Sequence, residues 1–244
     1  MAQLNGRVAL VTGASRGIGK AIALALAEAG AAVAVNYRAR SEEAEAVAEA
    51  IRTNGGKAAA FAADVSVGAA VAEMVSAVEA DLGPVDILVN NAGIAIAHGV
   101  DDISEEDFDR TLTVNLKSAF LCIRAVLPGM RARRWGRIVS ISSIAGRGAG
   151  SVSVAYNASK AGLEGLSRGY ASRLAAEGVT VNAVAPGLID TDMGQPLIAA
   201  GVGARIPVGR IGTGDDIAQV VVMLAQNSFI TGQTIAANGG GMFI

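Results

Sequence analysis

Apolar residues arrive in short bursts along this chain, and between the bursts the pattern switches to a helical period. Residues 7–12, Arg7-Val8-Ala9-Leu10-Val11-Thr12, form the first burst and are closed by Gly13, which predicts a buried strand. A helix is expected over 17–29, with Gly30 at its end. Residues 32–36 read as a second apolar strand. The helix predicted over 41–54 opens with Ser41 and has Glu42, Glu43 and Glu45 in its first turns, as the helix dipole favours, and it stops at Asn54-Gly55-Gly56. A strand over 57–62, a helix over 67–82 and a strand over 86–89 follow. Ser104 caps a helix that opens with Glu105-Glu106-Asp107 and runs to about residue 133, with a bend expected near Pro128. The rest reads as strand 136–141, a long helix 153–177, strand 179–184, a loop from 186 to 210, helix 214–226 and strand 233–237.

Strands alternate with helices throughout, and the strands are near-continuous apolar runs. That is the mark of a parallel sheet covered on both faces. The expected fold is therefore α/β: one domain spanning 1–244, built as a Rossmann-type doubly wound parallel sheet of about seven strands with helices on both faces. The stretch 194–210 is the one long irregular connection, which suits a lid over a site.

Composition adds bounds. The chain is 52% hydrophobic and only 17% charged, so a large core is expected, with apolar surface left over for subunit contacts. A net charge of −2 offers no basic field for nucleic acid. The single cysteine, Cys122, excludes an internal disulfide framework, and its apolar neighbours suggest a buried small hydrophobe. The single histidine, His98, cannot build a multi-histidine metal site and no metal is expected; it reads as a loop residue near the site mouth. The start, Met1-Ala2-Gln3-Leu4, does not resemble a signal peptide, and no apolar run reaches ~18 residues. A soluble cytoplasmic protein without a membrane partner is the expectation.

The candidate chemistry lies at the strand ends. Gly13-Ala14-Ser15-Arg16-Gly17-Ile18-Gly19 joins the first strand to the first helix. Glycines there allow a tight turn and the close approach of a pyrophosphate to the helix N-terminus. Lys20 is followed by Ala21, so this is not a Walker loop. An acid at the end of the second strand would bind the ribose 2′-OH of NAD. Here the strand ends Asn36-Tyr37-Arg38, and Arg38 with Arg16 suits the 2′-phosphate of NADPH; the alternative for Arg38 is a solvated helix start. Asp64-Val65 can hydrogen-bond an adenine amino group or cap the next helix. Asn90-Asn91-Ala92-Gly93 can steady a strand edge and let a ribose pass. Tyr156 and Lys160 share a helix face one turn apart. A nearby ammonium that lowers a phenol by ~3 pKa units supplies ~4 kcal/mol, which would make a general acid/base. Taken alone, such a pair is also an ordinary feature of an amphipathic helix.

Together, TGASRGIG, NNAG, Asn115, Ser143, the YNASK segment and Pro186-Gly187 resemble the short-chain dehydrogenase/reductase superfamily over essentially the whole chain. The segment 186–193 and the ending Asn238-Gly239-Gly240-Gly241-Met242-Phe243-Ile244 are most similar to its 3-oxoacyl-[acyl-carrier-protein] reductases. The resemblance implies that Tyr156 is the proton donor, Lys160 its partner, Ser143 the holder of the carbonyl oxygen and Asn115 the keeper of a proton-relay water. It implies that Tyr156 and Lys160 also contact the cofactor, and that Pro186, Gly187, Ile189 and Thr191 pack on the nicotinamide, although Thr191 could equally be a helix cap. Arg131, Arg133, Arg134 and Arg137 form a basic cluster expected near the site mouth, where an acidic carrier protein would dock; a solvated helix end is the alternative. Glu177 stands where a second basic carrier contact is expected, and the 194–210 lid is short, so a general carbonyl reductase stays open beside a carrier- or CoA-bound 3-oxoacyl substrate. The resemblance also implies a homotetramer built through the two long helices and the C-terminal region.

Overall fold

A computed structural model describes residues 4–148 and 150–243. The readings made above on Met1-Ala2-Gln3 and on Ile244 lie outside the described residues. Seven strands, β1 (Val8–Val11), β2 (Ala32–Tyr37), β3 (Ala58–Ala62), β4 (Val85–Asn90), β5 (Gly136–Ile141), β6 (Val179–Pro186) and β7 (Thr234–Ala237), form one sheet in the order β3-β2-β1-β4-β5-β6-β7. Every neighbouring pair is parallel. The helices are α1 (Gly17–Glu28), α2 (Ser41–Thr53), α3 (Gly68–Asp81), α4 (Glu105–Leu112), α5 (Ser118–Ala132), α6 (Val154–Leu174), α7 (Gln195–Ala199) and α8 (Gly214–Gln226).

Alternation along each strand splits the core in two. In β1, Ala9 and Val11 pack with Ile22 and Leu26 of α1 and Ile217 and Val221 of α8. Val8 and Leu10 pack on the other face with Val71 and Val78 of α3 and Val126 of α5. This two-sided burial is why the strands are apolar at most positions and not at alternate ones. Cys122 lies in the second core at 1% exposure, and burial pushes its thiol up to about 12, so it is an inert hydrophobe as expected.

Two expectations shift. The helix predicted from 105 to 133 is interrupted not at Pro128, which sits inside α5, but at Thr113–Lys117, a π-helical turn that carries Asn115. Such one-turn insertions reorient a side chain at small cost and recur at functional sites. The connection after β6 is not wholly irregular: it folds into α7 and a 3₁₀ turn at Val202–Arg205. By length and composition Glu105–Ala132 could cross a membrane, yet it starts with three acids and packs against α3, α6, β4 and β5.

The order reverses between β1 and β4, and the crevice outside their carboxyl ends is where ligands bind in such sheets. The glycine turn after β1 and Asn91-Ala92-Gly93 after β4 meet there.

Candidate active site

The cofactor end is built from the turn after β1. Gly13 has φ +62°, and a Cβ there would stand 3.0 Å from the Ala92 backbone. A Cβ at Gly19 would meet Asn91 Nδ2 and the Gly13 carbonyl, both at 2.5 Å. Only glycine fits either place. Asn91 Nδ2 donates to the carbonyls of Thr12 (2.9 Å) and Gly13 (3.1 Å), and the Thr12 hydroxyl accepts from the N–H of Asn91 and of Ala92, both at 3.0 Å. Thr12 thus joins the glycine turn to β4, a role that a threonine closing an apolar strand does not announce. Helix α1 has no side-chain cap at Arg16, so the N–H groups of Gly17, Ile18 and Gly19 remain for an anion. Ser15 is buried at the base of the turn.

Asn36 has its side chain turned inward, onto the backbone. It is 2% exposed, its Oδ1 accepts from the Gly13 N–H (3.2 Å), and its Nδ2 faces the carbonyls of Tyr37, Phe61 and Ala63. Its side chain braces the turn and holds β2 to β3, where a contact with the cofactor was expected. The Tyr37 hydroxyl accepts from Ser41 (3.1 Å). Arg38 points its guanidinium outward, 3.9 Å from Asp64, and leaves most of its fork open to a phosphate. Asp64 accepts from the N–H (2.9 Å) and hydroxyl (2.6 Å) of Ser66, which hold its carboxyl below the usual range; it closes a turn and does not cap α3. Val65 beside it is buried.

The reactive end gathers where β4 and β5 finish. Ser143 starts a 3₁₀ turn just past β5, and its hydroxyl accepts from Ala145 N–H (3.1 Å) and lies near enough to the Tyr156 phenol to act on its pKa. Ser153 caps α6 by accepting from the N–H of Tyr156 (3.3 Å), so the tyrosine stands in the first turn. Lys160, one turn on, lies 5.6 Å from the centre of the Tyr156 ring and donates to the Ile141 carbonyl at 2.9 Å. Asn115 receives the Ile94 N–H (2.8 Å) and donates to the Ile94 carbonyl (3.0 Å) and to Ser159 (3.1 Å). A methyl at Gly93 would sit 3.2 Å from Asn115 Oδ1 and 3.6 Å from Lys160 Nζ, so Gly93, Asn115 and Lys160 surround one small space. Ser159, inside YNASK, is the tie between Asn115 and α6 that residue types alone did not single out.

Electrostatics differ from the simple pairing expected. Burial pushes Tyr156 above the ordinary phenol value, against which the hydrogen bond from Ser143 pulls it down. Burial also brings Lys160 down to about 8. Desolvation disfavours the charged form of each. The phenol therefore stands protonated at neutral pH, the form a proton donor needs.

Past β6, the Gly187 N–H bonds to Ala237, and a Cβ on Gly187 would hit the Asn238 backbone at 2.8 Å. Pro186 ends the strand, and Ile189 is buried and paired in a bridge with Gly212. The Thr191 hydroxyl accepts from Gly194 N–H (3.3 Å) and its methyl lies over Gly17; it shapes the turn before α7 but is not that helix's cap. Arg16 pairs with Asp192, so the glycine turn touches the segment that leads into the lid. His98 packs at the mouth with its N–H on the Val152 carbonyl and Nε2 3.1 Å from Asp107.

The arginine cluster is not at this mouth. It lies between α5 and β5, at the amino edge of a parallel sheet, whereas the site lies at the carboxyl edge. Arg133 reaches the Val85 carbonyl (2.7 Å) and Asp86 (3.3 Å), both at the start of β4. Arg131 forms a two-point pair with Glu177, Arg134 donates to the Ala176 carbonyl, and Arg137 is buried beside Trp135. Glu177, expected to repel an acidic partner, instead neutralises one arginine of the cluster.

A doubly wound sheet with a glycine turn after β1 and a buried tyrosine–lysine pair beside its switch point defines an oxidoreductase that works on a carbonyl or an alcohol carbon. The chain belongs to the short chain dehydrogenase family, whose model matches residues 7–200. It is 42% identical to the 3-oxoacyl-[acyl-carrier-protein] reductase FabG of Pseudomonas aeruginosa over 242 residues, covering 97% of this chain and 98% of that one. It is 43% identical to the acetoacetyl-CoA reductase of Shinella zoogloeoides over 244 residues, 98% and 99% of the two chains. A crystal structure of a dehydrogenase/reductase from Sinorhizobium meliloti superposes with a TM-score of 0.91 at 38% identity, covering 98% of this chain and 96% of that one. Among the described residues no group of three His, Cys, Asp or Glu could hold a metal.

Proposed function

We propose that this enzyme reduces the 3-keto group of a 3-oxoacyl thioester to the alcohol with NADPH. The carrying observation is the buried Tyr156 beside Ser143, with Lys160 Nζ 5.6 Å from its ring centre. NADPH suits the uncapped N-terminus of α1, the two glycines that admit no Cβ, and Arg38 in place of an acid after β2. When bound it supplies the hydride. Ser143 and Tyr156 then hold the carbonyl oxygen between two hydroxyls, where negative charge grows as the carbon is attacked. Tyr156 gives its proton to that oxygen. Lys160 keeps positive charge near the phenolate left behind. Asn115 fixes the backbone at Ile94 and, through Ser159, the first turn of α6, which keeps the lysine side of the site in register.

The likeness to both FabG and an acetoacetyl-CoA reductase supports a thioester substrate. The internal pairing of the arginine cluster favours a CoA thioester, since little free positive charge remains for an acidic carrier. Steady-state NADPH and NADH oxidation on acetoacetyl-CoA, an acetoacetyl-carrier protein and a simple aryl ketone tests this. The expected order in kcat/KM is CoA thioester at or above carrier thioester, both ~10-fold or more above the ketone, with NADPH preferred. A ketone turned over best would make the enzyme a general carbonyl reductase.

We also read the cytoplasmic enzyme as a homotetramer. A shallow groove of about 500 Å³ lined by Leu112, Leu116, Phe120 and Leu166 runs across the outer face of α4–α6, and Phe120 is 39% exposed. Such a face suits burial against a second copy. Light scattering is expected to give four times the chain mass; a monomer overturns the assignment.

A further inference from the structure

Glu164 is a buried charge that the chemistry just described does not use. Glu164 is 3% exposed, on α6, one turn beyond Lys160 and two beyond Tyr156. Burying a carboxylate costs several kcal/mol unless its partners are well placed. Its partners come mostly from the segment that holds Ser143. Arg147 Nε donates to Glu164 at 2.6 Å, and the Ser142 hydroxyl lies 3.2 Å from the same carboxylate and 3.0 Å from the Lys160 carbonyl. Arg168 adds a weaker contact at 3.8 Å. Between them Gly146 presses on α6: a Cβ there would meet Ala161 N and Lys160 C at 2.9 Å. Residues before and after Ser143 are therefore each fastened to α6 between 160 and 164. Ser143 itself has an extended backbone, and its bonds within the turn are short-range, its hydroxyl accepting from Ala145 N–H (3.1 Å) and its carbonyl from Gly146 N–H (2.9 Å). Where its hydroxyl stands relative to Tyr156 is set by the fastening on either side.

We infer that Glu164, through Arg147 and Ser142, is a positioning residue that holds Ser143 at hydrogen-bond distance from Tyr156. This rests on the reading of Ser143 and Tyr156 as the pair that holds the carbonyl oxygen. Glu164 touches neither reacting group. Its carboxylate joins the turn after β5 to the helix that carries the proton donor, so loss of its charge lets the two slide apart by fractions of an ångström. Displacements of that size cost rate out of proportion to stability.

The test is a cycle of Glu164→Gln and Ser143→Ala, with Arg147→Met and Arg147→Lys as milder partners on a more exposed side chain. Each is assayed for kcat, for KM of acetoacetyl-CoA and NADPH, and for folding by thermal denaturation. Glu164→Gln is expected to lower kcat ~10-fold with KM for NADPH unchanged, and to lower it less than ~2-fold further when Ser143 is already alanine. Arg147→Met reproduces the loss and Arg147→Lys restores most of it. An equal loss of kcat in both backgrounds, or no loss, overturns the inference, because a purely structural charge pair would act without regard to Ser143. Tyrosinate absorbance gives a readout free of turnover. Glu164→Gln should move the Tyr156 titration, identified by difference from Tyr156→Phe, to higher pH by the same amount as Ser143→Ala; an unmoved titration also overturns the inference. Should the wild-type enzyme reduce no carbonyl, the proposed reaction fails, while this titration still decides the role of Glu164.

Discussion

Replacing Tyr156 with phenylalanine is expected to lower kcat by ~10³-fold or more and to leave the Kd for NADPH within ~2-fold. The phenol is the acidic group placed beside Ser143, and positioned proton transfer contributes roughly 10²–10⁴ to rate. Phenylalanine keeps the ring over Lys160 and the fit of the first turn of α6, and Ser153 caps that turn through the backbone of residue 156 and not its side chain. Folding should therefore be unchanged within ~1 kcal/mol. The loss should appear in kcat and not in NADPH binding, because the hydroxyl contributes most as charge moves onto oxygen. Isothermal titration of NADPH beside turnover separates the two.

Lys160→Met is expected to abolish turnover by ~10²-fold or more and yet to raise stability at neutral pH. Burial lowers Lys160 from its ordinary value to about 8. Below pH 8 the lysine is charged in both the folded and the unfolded chain, and the full cost of burying that charge opposes folding. Between about 8 and ~10.4 the unfolded chain holds more protons, so wild-type stability rises with pH across that window; above it the difference is gone. Methionine removes the cost and also loses the hydrogen bond to Ile141, which is worth about 1 kcal/mol. The balance is a gain of roughly 1–2 kcal/mol at pH 7 that shrinks as pH climbs past 8. Denaturation at pH 7 and at pH 10 reads it directly. A variant less stable than wild type at pH 7 would show that Lys160 is held by more than its one carbonyl.

Much of this was legible in the residues, for identifiable reasons. Strands buried on both faces are apolar at most positions, so the sheet could be read from bursts such as Val8–Val11. The glycine turn was legible because only glycine survives contact with Ala92 and Asn91 at Gly13 and Gly19. Tyr156 and Lys160 were legible from their spacing; how deeply they are buried was not, and burial reverses the expected sign of the tyrosine shift. Asn36 shows the same limit: an amide at a strand end looks identical whether it faces a ribose or the neighbouring backbone. The π turn at Asn115 was not legible, because nothing in its residue types sets it apart from the helical residues on either side. The arginines between α5 and β5 are a different case. A parallel sheet requires that a helix ending before a strand delivers its last residues to the amino edge, so their distance from the site followed from topology alone. Glu164 was hidden because its partners, Ser142 and Arg147, are distant in sequence.

The central claim is that this site moves a hydride to a 3-keto carbon and a proton from Tyr156 to its oxygen. It is tested most directly by following the loss of reduced nicotinamide on mixing NADPH with acetoacetyl-CoA, for the wild-type enzyme and for Tyr156→Phe side by side. The account predicts steady oxidation with formation of the 3-hydroxyacyl thioester by the first and almost none by the second, at equal NADPH occupancy. Undiminished oxidation by Tyr156→Phe, or none by the folded wild-type enzyme with NADPH bound, would contradict it.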